Sequence, residues 1–299
     1  MDHLSAIRLK EIETMIRRET AESGIIPQRS GRPLPNIAKL EQMVDLVKEI
    51  LFPGFFSELK EEITPEHFSK QLESLSELLK DQISNGLYFT IEQAGQKTET
   101  DALQLALTFM ARLPEIKRLL CTDVKAMYNN DPAAKSFGEV IICYPSIQAM
   151  IHYRIAHELL LLGIPLLPRI ITELAHSAYG IDIHPGAQIG EYFSIDHGTG
   201  VVIGETCIIG SHVHLYQGVT LGAKSLVLDE RGIPLNIPRH PIIEDNVVIY
   251  SNSTVLGRIT IGRDSVIGGN VWLTHSVPPN SRIIQHRASM NKEKEASLS

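Results

Sequence analysis

The residue best suited to chemistry in this sequence is His197, which stands between Asp196 and Gly198 in the segment Asp-His-Gly-Thr-Gly. An imidazole can take a proton from a hydroxyl near neutral pH, and a carboxylate beside it fixes its tautomer and raises its basicity. Asp182, fifteen residues earlier, is the candidate for that carboxylate. A lone histidine is more often a surface or structural residue, so the assignment depends on the surrounding pattern.

That pattern is a six-residue period of aliphatic residues, which begins near Ile181. Its three frames are Ile183, Ile189 and Ile195; then Ile203, Ile209, Leu215 and Leu221; then Ile243, Ile249, Val255, Ile261, Ile267 and Leu273. Neither a helix nor an alternating strand has this period. A hexapeptide repeat is typical of a parallel β-helix, in which the aliphatic side chains point into a triangular prism.

The repeat is interrupted twice, and interruptions of a regular scaffold are where function is sought. Ile195 and Ile203 are eight residues apart instead of six, and His197 lies between them. The second interruption is the non-repetitive segment 223–241, which ends Pro-Arg-His-Pro and includes Arg239 and His240. It is predicted to be a loop inserted at one edge of the prism.

The first 180 residues have the three- and four-residue spacing of amphipathic helices instead. One apolar stripe runs from Ile37 to Leu51 and stops at Pro53-Gly54. A second helix is predicted to begin at Thr64-Pro65-Glu66 and to break at Ser84-Asn85-Gly86. Further helices are predicted over residues 100–112, 115–128, 146–162 and 166–178.

The predicted fold class is therefore α+β, with an N-terminal all-helical domain followed by a C-terminal left-handed parallel β-helix. Residues 1–180 are predicted to form the helical domain, which would provide the edge of the substrate site and the oligomer contacts. Residues 181–280 form the catalytic β-helix with its 223–241 insertion. The polar tail 281–299 is expected to be disordered.

Composition excludes several function classes. The net charge of −7 argues against a broad nucleic-acid footprint. The most apolar stretch, residues 159–171, is too short to span a bilayer and contains two prolines. The three cysteines form no closely spaced pair and the N-terminus has no apolar signal segment, so a cytoplasmic protein with reduced thiols is expected.

Several motifs resemble the serine O-acetyltransferases, a family of hexapeptide-repeat acyltransferases, over roughly residues 115–280. They are the runs Asp131-Pro-Ala, Tyr153-Arg-Ile-Ala-His, Asp182-Ile-His-Pro-Gly-Ala, Ile195-Asp-His-Gly-Thr-Gly, Val202-Ile-Gly-Glu-Thr, Gln217-Gly-Val-Thr-Leu-Gly and Arg239-His-Pro. The resemblance implies that His197 deprotonates the serine hydroxyl, which attacks acetyl-CoA, and that Asp182 orients His197. The product, O-acetyl-L-serine, feeds cysteine biosynthesis.

The resemblance also implies the binding residues and partners. Asp131 and Asp196 would hold the substrate ammonium group, and Arg239 and His240 its carboxylate. Gly222, Ala223, Tyr250 and Ser251 would line the CoA arm. Acetyl-CoA is the expected co-substrate and no metal is required. Cysteine is expected as a feedback inhibitor.

Assembly as a homotrimer or a dimer of trimers is implied as well. A complex with O-acetylserine sulfhydrylase is in doubt, because that complex uses a C-terminal isoleucine and this chain ends in Ser299.

Three alternatives remain open from the residues alone. The acceptor could be another hydroxyl, such as that of O-phosphoserine, homoserine or a sugar. The histidines at positions 184, 197, 212, 214 and 240 could hold zinc, as in β-helical carbonic anhydrases. The prism could also be a non-catalytic scaffold.

Overall fold

Helices fill the N-terminal part of the chain. The computed structural model describes residues 3–24, 34–56, 64–94 and 101–285. The helices are α1 (His3–Ser23), α2 (Ile37–Leu51), α3 (Pro65–Ala94), α4 (Ala102–Met110), α5 (Leu113–Asn130), α6 (Phe137–Cys143), α7 (Pro145–Leu161) and α8 (Leu167–Tyr179). None of these described helices is long and apolar enough to cross a membrane.

Local signals account for several helix ends. The hydroxyl of Thr64 accepts a hydrogen bond from the amide of His67 at 3.2 Å, and Pro65 is the first residue of α3, as predicted. The side chain of Asn36 caps α2 in the same way through the amide of Lys39. The short helix α6, which no periodic stripe had indicated, begins after the capping hydroxyl of Ser136.

The predicted break at Ser84-Asn85-Gly86 is wrong, because α3 continues through it to Ala94. A Cβ atom on Gly86 would lie 2.8 Å from the Leu167 side chain and 2.9 Å from the Pro165 carbonyl oxygen. Gly86 therefore permits a close approach between α3 and the start of α8. The cost of a helical glycine, about 1 kcal/mol, is offset by this packing.

The C-terminal part is the predicted parallel β-helix, which has 14 short strands within the described residues. The strands are β1 (Ile181–Ile183), β2 (Gln188–Ile189), β3 (Ser194–Asp196), β4 (Val201–Ile203), β5 (Ile208–Ile209), β6 (His214–Tyr216), β7 (Thr220–Gly222), β8 (Ile242–Ile243), β9 (Val248–Ile249), β10 (Thr254–Leu256), β11 (Thr260–Ile261), β12 (Val266–Ile267), β13 (Trp272–Leu273) and β14 (Arg282–Ile283).

The strands form three parallel sheets, which we call faces A, B and C. Face A contains β1, β4, β7, β10 and β13; face B contains β2, β5, β8 and β11; face C contains β3, β6, β9, β12 and β14. The chain visits A, B and C in turn, so each coil turns through three edges, named AB, BC and CA. β14 lies beyond residue 280, and residues 286–299 of the predicted tail lie outside the described residues.

Strand register explains the six-residue frames. Ile183 lies beside Ile203, and Ile195 lies beside Leu215, so separate frames stack into continuous columns. These side chains are at most 3% exposed. The prism therefore has a dry aliphatic core, and polar residues on the outward positions of the strands are free for other roles.

A buried ion pair joins the helices to the first coil. The guanidinium of Arg154 on α7 contacts the Asp123 carboxylate on α5 at 3.0 and 3.1 Å. It also donates to the carbonyl oxygens of Ile189 and Gly190. The Asp123 carboxylate in turn accepts from the amide of Phe193. The middle of α5 is thereby held against the turn that leads to β3.

Candidate active site

The turn that carries His197 is wider than the other turns at the CA edge. His197, Gly198 and Gly200 have φ angles of 58°, 86° and 79°, in the left-handed region that favours glycine. A Cβ atom on Gly198 would lie 2.5 Å from the Ile181 side chain. Gly198 therefore cannot carry a side chain unless Ile181 moves. The His197 side chain in this turn is 71% exposed.

Two aspartates lie on the side of the prism that carries His197. The Asp196 carboxylate oxygen is 3.8 Å from His197 Nε2. Asp131 is the C-cap residue of α5, and the side-chain amide of the preceding residue, Asn130, donates to the Ser194 hydroxyl of β3 at 3.0 Å. Asp131, Asp196 and His197, which sequence reasoning assigned to one site, therefore lie together at the CA edge.

Tyr144 belongs to the same cluster, although the sequence did not indicate it. Its hydroxyl donates to the Asp131 carboxylate at 2.5 Å. This hydrogen bond is the largest contribution to the lowered pKa of Asp131, and it raises the pKa of Tyr144 to about 12. A tyrosine at the junction of two helices carries no recognisable motif, so only the tertiary structure identifies it.

Asp182 lies on the outward side of β1, half-buried, beside Val202 of β4. No hydrogen bond or ion pair joins it to His197 in the part of the chain that the structure describes. Its carboxylate is instead within 4.8 Å of ligand atoms of Glu173 and His176 on α8. The predicted support of His197 by Asp182 stays a prediction.

Arg239 and His240 lie at the AB edge, where the inserted segment returns to the prism. The His240 Nδ1 atom accepts a hydrogen bond from the amide of Thr206, and the Arg239 guanidinium pairs with Glu205 at 2.7 Å. The Arg258 guanidinium donates to the His240 carbonyl oxygen at 3.0 Å. The chain's own contacts therefore order both predicted carboxylate-binding residues.

Burial keeps the His240 imidazole neutral. Desolvation is the main cause that lowers its pKa to about 4, and the positive charge of Arg239 adds to it. A Cβ atom on Gly204 would lie 2.1 Å from the His240 ring, so the ring packs directly onto the backbone. A neutral imidazole at this position offers a hydrogen bond and no charge to a ligand.

The predicted CoA-binding residues divide between the two edges. Gly222 ends β7 and Ala223 follows it at the AB edge, whereas Tyr250 and Ser251 lie at the CA edge. The backbone amide of Tyr250 donates to the Ile267 carbonyl oxygen and is not available to a ligand. Its ring is 41% exposed and stacks on Tyr216 at 4.8 Å.

The five histidines considered for zinc form no three-residue cluster in the described part of the chain. The described residues whose possible ligand atoms lie within 4.8 Å of one another are Glu173, His176 and Asp182. His212 stacks on Tyr192, and His214 contacts the Ser194 hydroxyl at 2.6 Å. These partners are those of structural histidines.

The inserted segment forms a β-hairpin between β7 and β8. Leu228 and Pro234 are bridged in antiparallel fashion, and the Asp229 carboxylate accepts from the amides of Arg231 and Ile233 within the turn. Its aliphatic side chains are 40–58% exposed: Leu226, Val227, Leu228, Ile233, Leu235 and Ile237. The AB edge thus carries an ordered arm with apolar side chains in solvent.

Comparisons with known proteins give a consistent result. The model for the bacterial transferase hexapeptide (six repeats) matches residues 240–275, and the model for the hexapeptide repeat of succinyl-transferase matches residues 200–228. The plasmid serine acetyltransferase of Synechococcus elongatus is 50% identical over 262 residues, which are 85% of this chain and 82% of that protein.

Solved structures agree with this result. The crystal structure of Entamoeba histolytica serine acetyltransferase 1 in complex with L-cysteine superposes with a TM-score of 0.72 at 37% identity, covering 86% of this chain and 91% of that one. Isoform 3 from the same organism, also in complex with cysteine, has a TM-score of 0.71 at 33% identity and covers 93% of both chains.

Proposed function

This chain belongs to the serine acetyltransferase family, and on that premise we propose that it transfers the acetyl group of acetyl-CoA to the hydroxyl of L-serine. The observation that carries the proposal is the cluster at the CA edge, where the exposed His197 lies beside Asp196 and the end of α5 brings Asp131 to the same side of the prism. Two carboxylates suit an ammonium group, and a neighbouring imidazole suits the hydroxyl of the same small molecule.

In the proposed reaction, His197 takes the hydroxyl proton as the serine oxygen attacks the thioester carbonyl carbon. The tetrahedral intermediate then expels the CoA thiolate, which takes this proton from the His197 imidazolium and leaves as the free thiol. Asp182 is proposed to orient His197, since it follows Ile181, on which Gly198 packs. The acetyl donor is already activated, so this scheme needs no metal.

The two edges of the prism lead us to propose a trimer. Face A separates Arg239 and His240 at the AB edge from His197 at the CA edge. Its strands are up to three residues long, so this separation is roughly 10 Å. A pocket that closes on a molecule as small as serine from both sides therefore needs two chains. The exposed apolar arm of residues 226–237 is proposed to contact the neighbouring prism.

Cysteine is proposed to compete with serine in this pocket, because the two amino acids share their ammonium and carboxylate groups. The related Entamoeba enzymes bind cysteine in their crystal structures. The pairing of two trimers and the cytoplasmic location stay predictions from the sequence.

The proposal is tested by following thiol release from acetyl-CoA with L-serine, O-phosphoserine and homoserine, using the wild-type protein and two variants. His197→Asn is expected to lower kcat by about 10²- to 10⁴-fold. The matched control is His212→Asn, because His212 has the same φ of 58° and asparagine accepts this conformation. Turnover that His197→Asn leaves intact, or that does not favour L-serine, would contradict the proposal.

A further inference from the structure

Tyr144 is the residue of the CA-edge cluster to which no role has been assigned so far. Its hydroxyl donates to Asp131 Oδ2 at 2.5 Å, and the amide of Ala133 donates to Asp131 Oδ1 at 2.8 Å. A carboxylate has about two acceptor positions on each oxygen. These two donors therefore occupy one position on each oxygen and leave one on each oxygen for a ligand.

The backbone around Tyr144 is held in place by two helices. Tyr144 is both the C-cap residue of α6 and the N-cap residue of α7, with φ −85° and ψ 116°. Its amide donates to the Val140 carbonyl oxygen, and its own carbonyl oxygen accepts from the amide of Ile147. The phenol thus extends from a rigid junction to a carboxylate thirteen residues away in sequence.

The surrounding charges make the phenol a permanent donor. Asp131, Glu139 and Asp196 all raise the pKa of Tyr144, with the hydrogen bond to Asp131 as the largest cause. The hydroxyl therefore keeps its proton at physiological pH. It donates to the Asp131 carboxylate and also lies within the electrostatic field of Asp196.

We propose that Tyr144 is a positioning residue of the amino-acid site, and that its hydroxyl holds the Asp131 carboxylate in the orientation that receives the substrate ammonium group. This inference rests on the proposed function. Because Asp131 would contact the ammonium group equally in the bound substrate and in the transition state, losing its orientation weakens substrate binding and spares the chemical step.

The test is a kinetic comparison of the wild-type protein with Tyr144→Phe, which keeps the ring and removes only the hydroxyl. We expect the KM for L-serine to rise about tenfold, as for loss of one hydrogen bond to a charged group, and the dissociation constant of L-cysteine to rise by the same factor. The value of kcat and the KM for acetyl-CoA stay within about twofold. Tyr128→Phe, at a tyrosine that packs on Phe137, is the matched control and leaves all four constants unchanged.

A double-mutant cycle shows whether Tyr144 acts through Asp131. In an Asp131→Asn background, Tyr144→Phe is expected to cause no further rise in the KM for serine. An unchanged KM in the single variant, an equal loss in the Asp131→Asn background, or a fall in kcat without a change in KM would each overturn the inference. A wild-type protein that does not acetylate serine would overturn the proposed function instead, so the two failures are distinguishable.

Discussion

Replacing Arg154 by methionine is expected to destabilise the junction between the helices and the β-helix by about 3–5 kcal/mol. The side chains of Arg154 and Asp123 are 4% and 0% exposed, so water cannot replace the lost partner. The carboxylate keeps the Phe193 amide as a donor, at 3.2 Å. The carbonyl oxygens of Ile189 and Gly190 lose donors at 2.8 and 2.7 Å.

The pH dependence of this loss follows from the buried carboxylate. Burial raises the pKa of Asp123, and the charge of Arg154 opposes that rise. Without the guanidinium, the pKa of Asp123 in the folded protein is higher still. Above pH 3.8, the ordinary pKa of an aspartate, the unfolded state releases this proton while the folded state keeps it. Stability then falls as the pH rises from 3.8 to the folded pKa, and the variant loses more at pH 8 than at pH 5.

The measurement is urea unfolding followed by far-ultraviolet circular dichroism, at equal protein concentrations and at both pH values. Arg118→Met is the matched control, because Arg118 also joins α5 to the β-helix, through Glu191 at 2.9 Å, but is 48% exposed. It should lose clearly less stability than Arg154→Met, because an exposed ion pair contributes little. The reasoning fails if both variants lose the same amount, or if adding Asp123→Leu to Arg154→Met restores no stability.

Two further predictions concern backbone strain and acid sensitivity. Gly198→Ala should lower the free energy of unfolding by about 1–3 kcal/mol more than Gly54→Ala, because Gly54 has a similar φ of 81° but open space around it; equal losses in urea unfolding would contradict this. His152 is buried, and desolvation lowers its pKa to about 4, so stability should be lost as the pH falls from 6.5 towards 4. His152→Gln should reduce this decline between pH 7 and pH 5, and an unchanged decline would show that other groups cause it.

The β-helix could be predicted in detail because its determinants are local and repeat. Each coil places an aliphatic residue such as Leu215 on the one before it, so the period alone indicates the fold. The slip of two residues around His197 corresponds to a wider turn with two left-handed glycines. Sequence spacing therefore located both the scaffold and the point at which it departs from regularity.

The helical domain was less predictable because its contacts are between residues distant in sequence. Gly86 has the propensity of a helix breaker, but it is the residue that allows α3 to approach Leu167. Tyr144, which follows α6, contacts Asp131, which follows α5, across thirteen residues of sequence. A periodic pattern cannot encode either contact.

The separation of the two edges has a genetic consequence. In the proposed trimer each pocket takes its CA edge from one chain and its AB edge from another. A pocket is therefore active whenever these two edges are intact, even if each chain carries a defect at its other edge. A chain defective at His197 and a chain defective at Arg239, each inactive alone, would complement one another when mixed. In randomly mixed trimers with equal shares, about a quarter of the pockets would combine two intact edges. Two alleles with different lesions in this one gene could then support growth that neither supports alone.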